Sequence, residues 1–284
     1  AASAPYGMRA SNGVVVITTK SGKNAEKGKP QVSFNTNLSF DKVSTLPDLQ
    51  TEYAQGNKGV FDPYSGFSWG PVLSELPNDP TYGGNVSNAY TADGLHKGQY
   101  YVPQRAAAGL DPWATPRAYN NAKDFYNTGV TWNNSVNVAQ AFDKGNYSFS
   151  LGNSKQNGIV PSTGMDRYNV KLTGEANLSK NFTTGFSGNF VASKITKQGT
   201  GNDGVTATVY TAPISYDMAG IPAHVQGEPH TQNTFRESWI DNAYWACDNN
   251  EFIERSQRFF GNAYLKYTTD FGTDNRHKLD IKYQ

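Results

Sequence analysis

The strongest constraint in this 284-residue sequence is a two-residue alternation that persists for longer than an ordinary strand needs. Over Gln31–Asp41, Val32, Phe34, Leu38 and Phe40 fall on one side, and Ser33, Asn35, Asn37 and Ser39 on the other. Successive side chains of a strand point to opposite faces, so such a segment has one apolar and one polar face. The pattern returns over residues 131–142, where Trp132, Val136, Val138 and Phe142 oppose Asn133, Ser135 and Asn137. It returns again over residues 147–152, 165–178, 182–193, 257–269 and 278–283. Helical periodicity is weak by comparison. Only Thr45 to Gln55, with Pro47 in its first turn, reads as a short helix.

Length decides what kind of sheet this is. Soluble strands average about 5–6 residues. Roughly 11 residues at about 3.3 Å each, tilted near 45°, rise about 25 Å, the height of the apolar band of an outer-membrane barrel. The connections agree. Residues 43–130, 156–164 and 195–256 are long or medium excursions. They alternate with short links at Asp143-Lys144-Gly145-Asn146, Ser179-Lys180-Asn181 and residues 270–276. A barrel with short turns at one rim and long loops at the other sorts its links by parity, whereas a soluble sandwich has no reason to. Aromatics gather near the expected strand ends: Phe142, Tyr147, Phe182 and Tyr267 on the turn side, and Phe40, Trp132, Tyr168 and Phe259 on the loop side.

Composition fits this reading and excludes others. The 25 Lys and Arg balance 24 Asp and Glu, so no basic face points to nucleic acid. Hydrophobic residues make up 37% and aromatics 13%, little aliphatic content for a soluble core of this size. A mean hydropathy of -0.64 suits a membrane protein only if it crosses by strands, which can be polar on their water-facing side. No segment approaches the ~18 apolar residues of a spanning helix. The single cysteine, Cys247, excludes an internal disulfide and, in its Asn- and Asp-rich setting, reads as an unpaired surface thiol. The opening Ala1-Ala2-Ser3-Ala4 has no charged n-region or apolar h-region, so the expected export signal would lie upstream.

The N-terminal stretch has a different character. Asn12-Gly13 is a turn dipeptide, followed by the β-branched run Val14-Val15-Val16-Ile17-Thr18-Thr19, as in a strand covered on both faces. The block from Ala4 to Gly22, with Tyr6-Gly7, Arg9, Asn12-Gly13-Val14 and Thr18-Thr19-Lys20, resembles the end of the plug domain of SusC/RagA-like TonB-dependent outer-membrane transporters. Phe67-Ser68-Trp69-Gly70-Pro71, Phe125-Tyr126-Asn127-Thr128-Gly129-Val130 and Gly158-Ile159-Val160-Pro161 are similar to later blocks of that family, in the same order.

The resemblance implies an all-β fold, part of a large antiparallel transmembrane β-barrel of about 22 strands around an internal plug. Residues 1–22 would end the plug, 23–30 form a linker, and 31–284 begin the barrel, with extracellular loops at about 43–130 and 195–256. Tyr6, Gly7, Arg9, Asn12 and Gly13 are the expected plug signature. The implied function is import of oligosaccharides or peptides across the outer membrane of a Gram-negative bacterium. A SusD-like surface lipoprotein would cap the barrel, and the TonB-ExbB-ExbD complex would supply energy through a segment outside these residues. No cofactor is implied. A soluble secreted carbohydrate-binding sandwich and a plugless porin or adhesin are the competing classes.

No catalytic motif stands out, neither a Gly-x-Ser-x-Gly elbow nor an HExxH helix. His224, Glu228 and His230 share a loop, an arrangement more often incidental than metal-binding. The candidate contact residues are loop aromatics: Trp69, Tyr100, Tyr101 and Trp113 in the first long loop, and Trp239, Tyr244 and Trp245 in the last. Such rings can pack the loops together, meet a protein lid, or stack on cargo, and the sequence leaves all three open.

Overall fold

The computed structural model describes residues 13–15, 22–78, 96, 98–237, 240–271 and 277–284. In chain order the strands are β1 (Gln31–Asp41), β2 (Gly56–Asn57), β3 (Val60–Phe61), β4 (Tyr100–Tyr101), β5 (Trp113–Ala114), β6 (Gly129–Phe142), β7 (Gly145–Asn157), β8 (Gly164–Asn177) and β9 (Phe182–Lys197). They continue with β10 (His224–Val225), β11 (Glu228–Gln232), β12 (Phe252–Phe271) and β13 (His277–Tyr283). The helices are short: α1 (Pro103–Ala107), α2 (Asn121–Phe125), α3 (Val205–Tyr210) and α4 (Ala243–Asn249). No helix among the described residues is long and apolar enough to cross a membrane, which says nothing about crossing by strands.

The seven long strands form one antiparallel sheet, β1-β6-β7-β8-β9-β12-β13, each paired with its predecessor among the long strands. These are the seven alternating segments of the sequence, extended at several ends. The extensions are largest in β7, which runs on to Asn157, and in β12, which begins at Phe252 and runs for 20 residues. The sheet is open and does not close into a barrel. The other sheets among the described residues are two-stranded ribbons in the loops, so no second layer stacks on the large sheet as a sandwich requires.

Register places like faces together. One row runs Phe34, Val136, Leu151, Val170, Phe190 and Phe259 across six strands. The opposite face carries Ser33, Asn137, Ser150, Lys171 and Asn189 in another row. The apolar residues are exposed, Phe34 at 64% and Phe259 at 78%. A water-soluble sheet would bury them.

The apolar band crosses the strands diagonally. In β1 it runs from Val32 to Phe40. Following register to β12, five strands on, the partners of those two residues are Gly261 and Ile253. In β12 the band instead runs from Phe259 to Tyr267, displaced by six residues at both limits. Six residues at about 3.3 Å over five spacings of about 4.8 Å correspond to strands tilted by about 40°. That is the tilt of outer-membrane barrels, and the band then stands roughly 20–25 Å high.

Polar groups on the apolar face satisfy one another. Trp132 Nε1 donates to Thr36 Oγ1 at 2.9 Å, and Thr36 Oγ1 donates to Asn134 Oδ1 at 2.8 Å. Tyr147 Oη donates to Gln140 Oε1 at 3.2 Å. In hydrocarbon an unpaired donor costs several kcal/mol, so internal pairing of this kind is what a lipid-facing surface requires. At the turn end the aromatics meet in pairs, Phe142 with Tyr147 at 5.8 Å and Phe182 with Tyr267 at 5.0 Å.

The hydrophobic core lies off the sheet, in the two long loops. Ala54, Phe61, Leu76, Tyr100 and Phe125 of the first interlock with Val209, Tyr216, Met218, Phe235, Ala243 and Cys247 of the last. Tyr216 stacks on Phe235 at 4.5 Å. Two sequence expectations change here. Thr45 to Gln55 forms no helix, because tertiary partners claim its backbone. Ala54 N donates to Pro71 O, Gly70 N to Ala54 O and Leu73 N to Glu52 O, while Gln50 Oε1 accepts from Glu52 N and Tyr53 N. Cys247 is buried in α4 rather than on the surface, only 4% exposed.

Candidate substrate and partner surface

Irregular loops leave many backbone carbonyls without a ladder partner, and buried ones must find donors. This loop unit uses side-chain amides. Gln55 Nε2 donates to the carbonyls of Pro63, Ser65 and Phe235, at 3.1, 2.8 and 2.5 Å. Gln104 Nε2 donates to Pro63 O at 2.6 Å, and Asn233 Nδ2 to Gln104 O at 2.8 Å. Asn121 Nδ2 donates to Pro213 O and Tyr216 O, while its Oδ1 accepts from Met218 N. Each set ties the first long loop to the last, producing one rigid unit at the loop rim of the sheet.

The aromatic candidates divide within this unit. Tyr100 is buried, edge-on to Phe61 at 5.5 Å, and donates its hydroxyl to Ser215 O at 2.9 Å. Burial pushes its phenol far above the ordinary range, with the nearby Tyr119 adding to the effect. It is a core residue and offers no surface. Tyr101 and Trp113 pair across β4 and β5, edge to face at 5.7 Å, and His96 stacks flat on Trp113 at 4.2 Å. Tyr244 and Trp245 lie on α4 and are half-buried. Tyr244 packs on Phe125 at 5.2 Å and donates to Asp124 O at 3.3 Å. Trp69 stands apart, 69% exposed, with Phe67 and Tyr64 also exposed nearby in the chain. Its backbone is held by Gly56 and Gly59. Trp239 lies outside the described residues.

Sequence reasoning missed a cavity of about 560 Å³ between the loop unit and the loop ends of the strands. Asp41, Gln156, Ile159, Val160, Lys197, Gln198 and Val205 are among its lining. Gln198 is buried and, among the described residues, has no partner for its Oε1, while its Nε2 donates to Cys247 O at 3.4 Å. No local pattern signals this site, because its walls come from four separate segments of the chain.

The segment before β1 docks on the polar face near the turn end. Gly28 N donates to Ala141 O at 3.0 Å, and Lys23 pairs with Glu175 at 3.7 Å. Gly22 lies so close to the Tyr147 backbone that an added Cβ would come within 2.1 Å of its carbonyl oxygen, which leaves room only for glycine. Of the expected plug signature, Gly13 is described, with φ of 101° that favours glycine, whereas Tyr6, Gly7, Arg9 and Asn12 lie outside the described residues.

Among the described residues no group of three or more His, Cys, Asp and Glu is placed to hold a metal. His224 Nε2 meets Asn249 Nδ2 at 3.2 Å. Burial, reinforced by the Asp248 charge, pushes the Cys247 thiol from 9.0 to about 12. The folded form therefore keeps its proton as pH rises through 9, and the thiol's contribution to stability is lost between pH 9 and about 12. At pH 9.5 the native protein should react with a thiol reagent at least tenfold more slowly than the denatured protein. Equal rates would place the thiol at the surface after all.

No protein-family model matches the chain. Three curated proteins do. The TonB-dependent receptor P26 of Formosa agariphila is 27% identical over 254 residues, covering 84% of this chain and 22% of that protein. The TonB-dependent receptor SusC of Bacteroides thetaiotaomicron is 29% identical over 181 residues, covering 64% of this chain and 13% of SusC. The TonB-dependent receptor P3 of Formosa agariphila is 30% identical over 105 residues, covering 36% of this chain and 10% of that protein. The chain thus spans about a fifth, or less, of the length of the relatives it matches. With its long antiparallel strands and exposed apolar band, the chain is similar to a stretch of SusC-like TonB-dependent receptors.

Proposed function

We propose that these residues supply the plug edge, the first wall strands and the extracellular loops of an outer-membrane importer energised by the TonB-ExbB-ExbD complex. Residues 1–22 close the plug, 23–30 link it to the wall, and 31–284 begin the barrel. The observation that carries this reading is the apolar band, which crosses the strands diagonally and contains no charged side chain among the described residues. The docking of residues 22–28 on the Ser- and Asn-rich face supports an internal plug and disfavours a plugless pore. The cargo is an oligosaccharide or a peptide, handed over at the loop unit. Exposed Trp69, with Phe67 and Tyr64, is suited to a SusD-like lipoprotein lid. Tyr101, Trp113, Tyr244 and Trp245 chiefly brace the loops.

Single cysteines in the full-length receptor, in native outer membranes and a Cys247→Ala background, test the wall assignment. Asn137→Cys and Asn189→Cys should react with a water-soluble maleimide. Val170→Cys and Leu172→Cys should react only after detergent disruption. Equal labelling of both sets in intact membranes would defeat the membrane reading.

A further inference from the structure

The apolar face carries a second pattern just beyond the band. Register sets Lys155 of β7 opposite Asp166 of β8, Asp166 opposite Lys194 of β9, and Lys194 opposite Arg255 of β12. All four share a face with Leu151, Val170, Phe190 and Phe259, which stand four residues nearer the turn end. Four residues at about 3.3 Å, on strands tilted about 40°, lift the charged row about 10 Å above that apolar row. Lys155, Lys194 and Arg255 are exposed. Among the described residues none of the four forms an ion pair. A groove of about 310 Å³ opens there, with Asp166, Tyr168, Lys194, Arg255 and Gln257 in its walls.

We propose that this row binds the phosphate of a lipid headgroup in the outer-facing leaflet, a phosphorylated glycolipid of the lipid A kind. The inference rests on the membrane reading above. Three cations against one carboxylate leave a net charge of +2 on a row that, with the strands tilted, climbs from the loop-side limit of the band at Lys155 to about 10 Å above it at Arg255, the span in which a bilayer changes from hydrocarbon to headgroups. Arg255 supplies a planar fork that matches two phosphate oxygens, and the lysines add mobile point charges. Tyr168 sits between charged row and apolar row, where a ring with a polar tip suits the interface. Soluble cargo does not fit this place, because the row faces outward with the apolar band and not toward the Ser- and Asn-rich face.

The test uses the full-length receptor in nanodiscs, with lipid A that carries its phosphates or has been dephosphorylated. The phosphorylated lipid should raise the melting temperature by several degrees more than the dephosphorylated one. Lys155→Gln/Lys194→Gln/Arg255→Gln should remove that difference and weaken lipid retention in native mass spectrometry by about tenfold. Asp166→Asn should strengthen retention, which keeps the proposal open to test if the triple variant folds poorly. Equal shifts with both lipids, an unaffected triple variant, or the same stabilisation by millimolar inorganic phosphate alone would each overturn it. A receptor that inserts normally but ignores phosphate defeats only this inference. One that stays soluble and folded without lipid or detergent defeats the membrane reading beneath it.

Discussion

Replacing Leu172 by arginine should destabilise the membrane-inserted receptor by about 3 kcal/mol, the cost of a cation at the midplane of an outer-membrane barrel. Leu172 lies at the centre of the band in β8, midway between Tyr168 and Ala176, and its side chain is 42% exposed. One residue away, Lys171 already carries a cation on the opposite face, opposite Asn189 in β9. Asn189→Arg should therefore cost less than about 1 kcal/mol, since that face meets water and water screens charge. Denaturant unfolding of the full-length receptor from lipid vesicles measures both. A cost for Asn189→Arg equal to that for Leu172→Arg would mean that the two faces do not differ as the alternation requires.

The second large effect concerns the loops. Gln55→Leu removes one donor from three buried carbonyls. Pro63 O keeps Gln104 as a partner, but Ser65 O and Phe235 O lose theirs. Two buried acceptors left without donors cost about 2–5 kcal/mol together. The loss should be local, because the loop core and the sheet are stabilised separately: burial holds the loops, and ladder hydrogen bonds hold the strands. Hydrogen exchange should show faster exchange around residues 54–65 and 233–236, with β6 to β9 unchanged. Loops that stay protected would show that aromatic contacts such as Tyr216 on Phe235 hold the unit without the amide links.

The seven long strands, their faces and the parity of their links could all be read from the sequence of this protein. A strand's face is set by a two-residue period, so the difference between Phe34 and Asn35 is local information, and the length of the pattern separates a membrane wall from a soluble sheet. Tertiary structure alone decided the fate of the loops. Gln55 meets Phe235 across 180 residues, Cys247 turns inward on the buried side of α4, and the backbone of Thr45 to Gln55 is drawn from a helix into pairing with residues 70–73. Irregular chain has no period, so whether Tyr100 is buried or Trp69 exposed depends on which distant carbonyls and rings arrive beside it. The diagonal course of the apolar band likewise needed the register, because tilt is a relation between strands and no single strand records it.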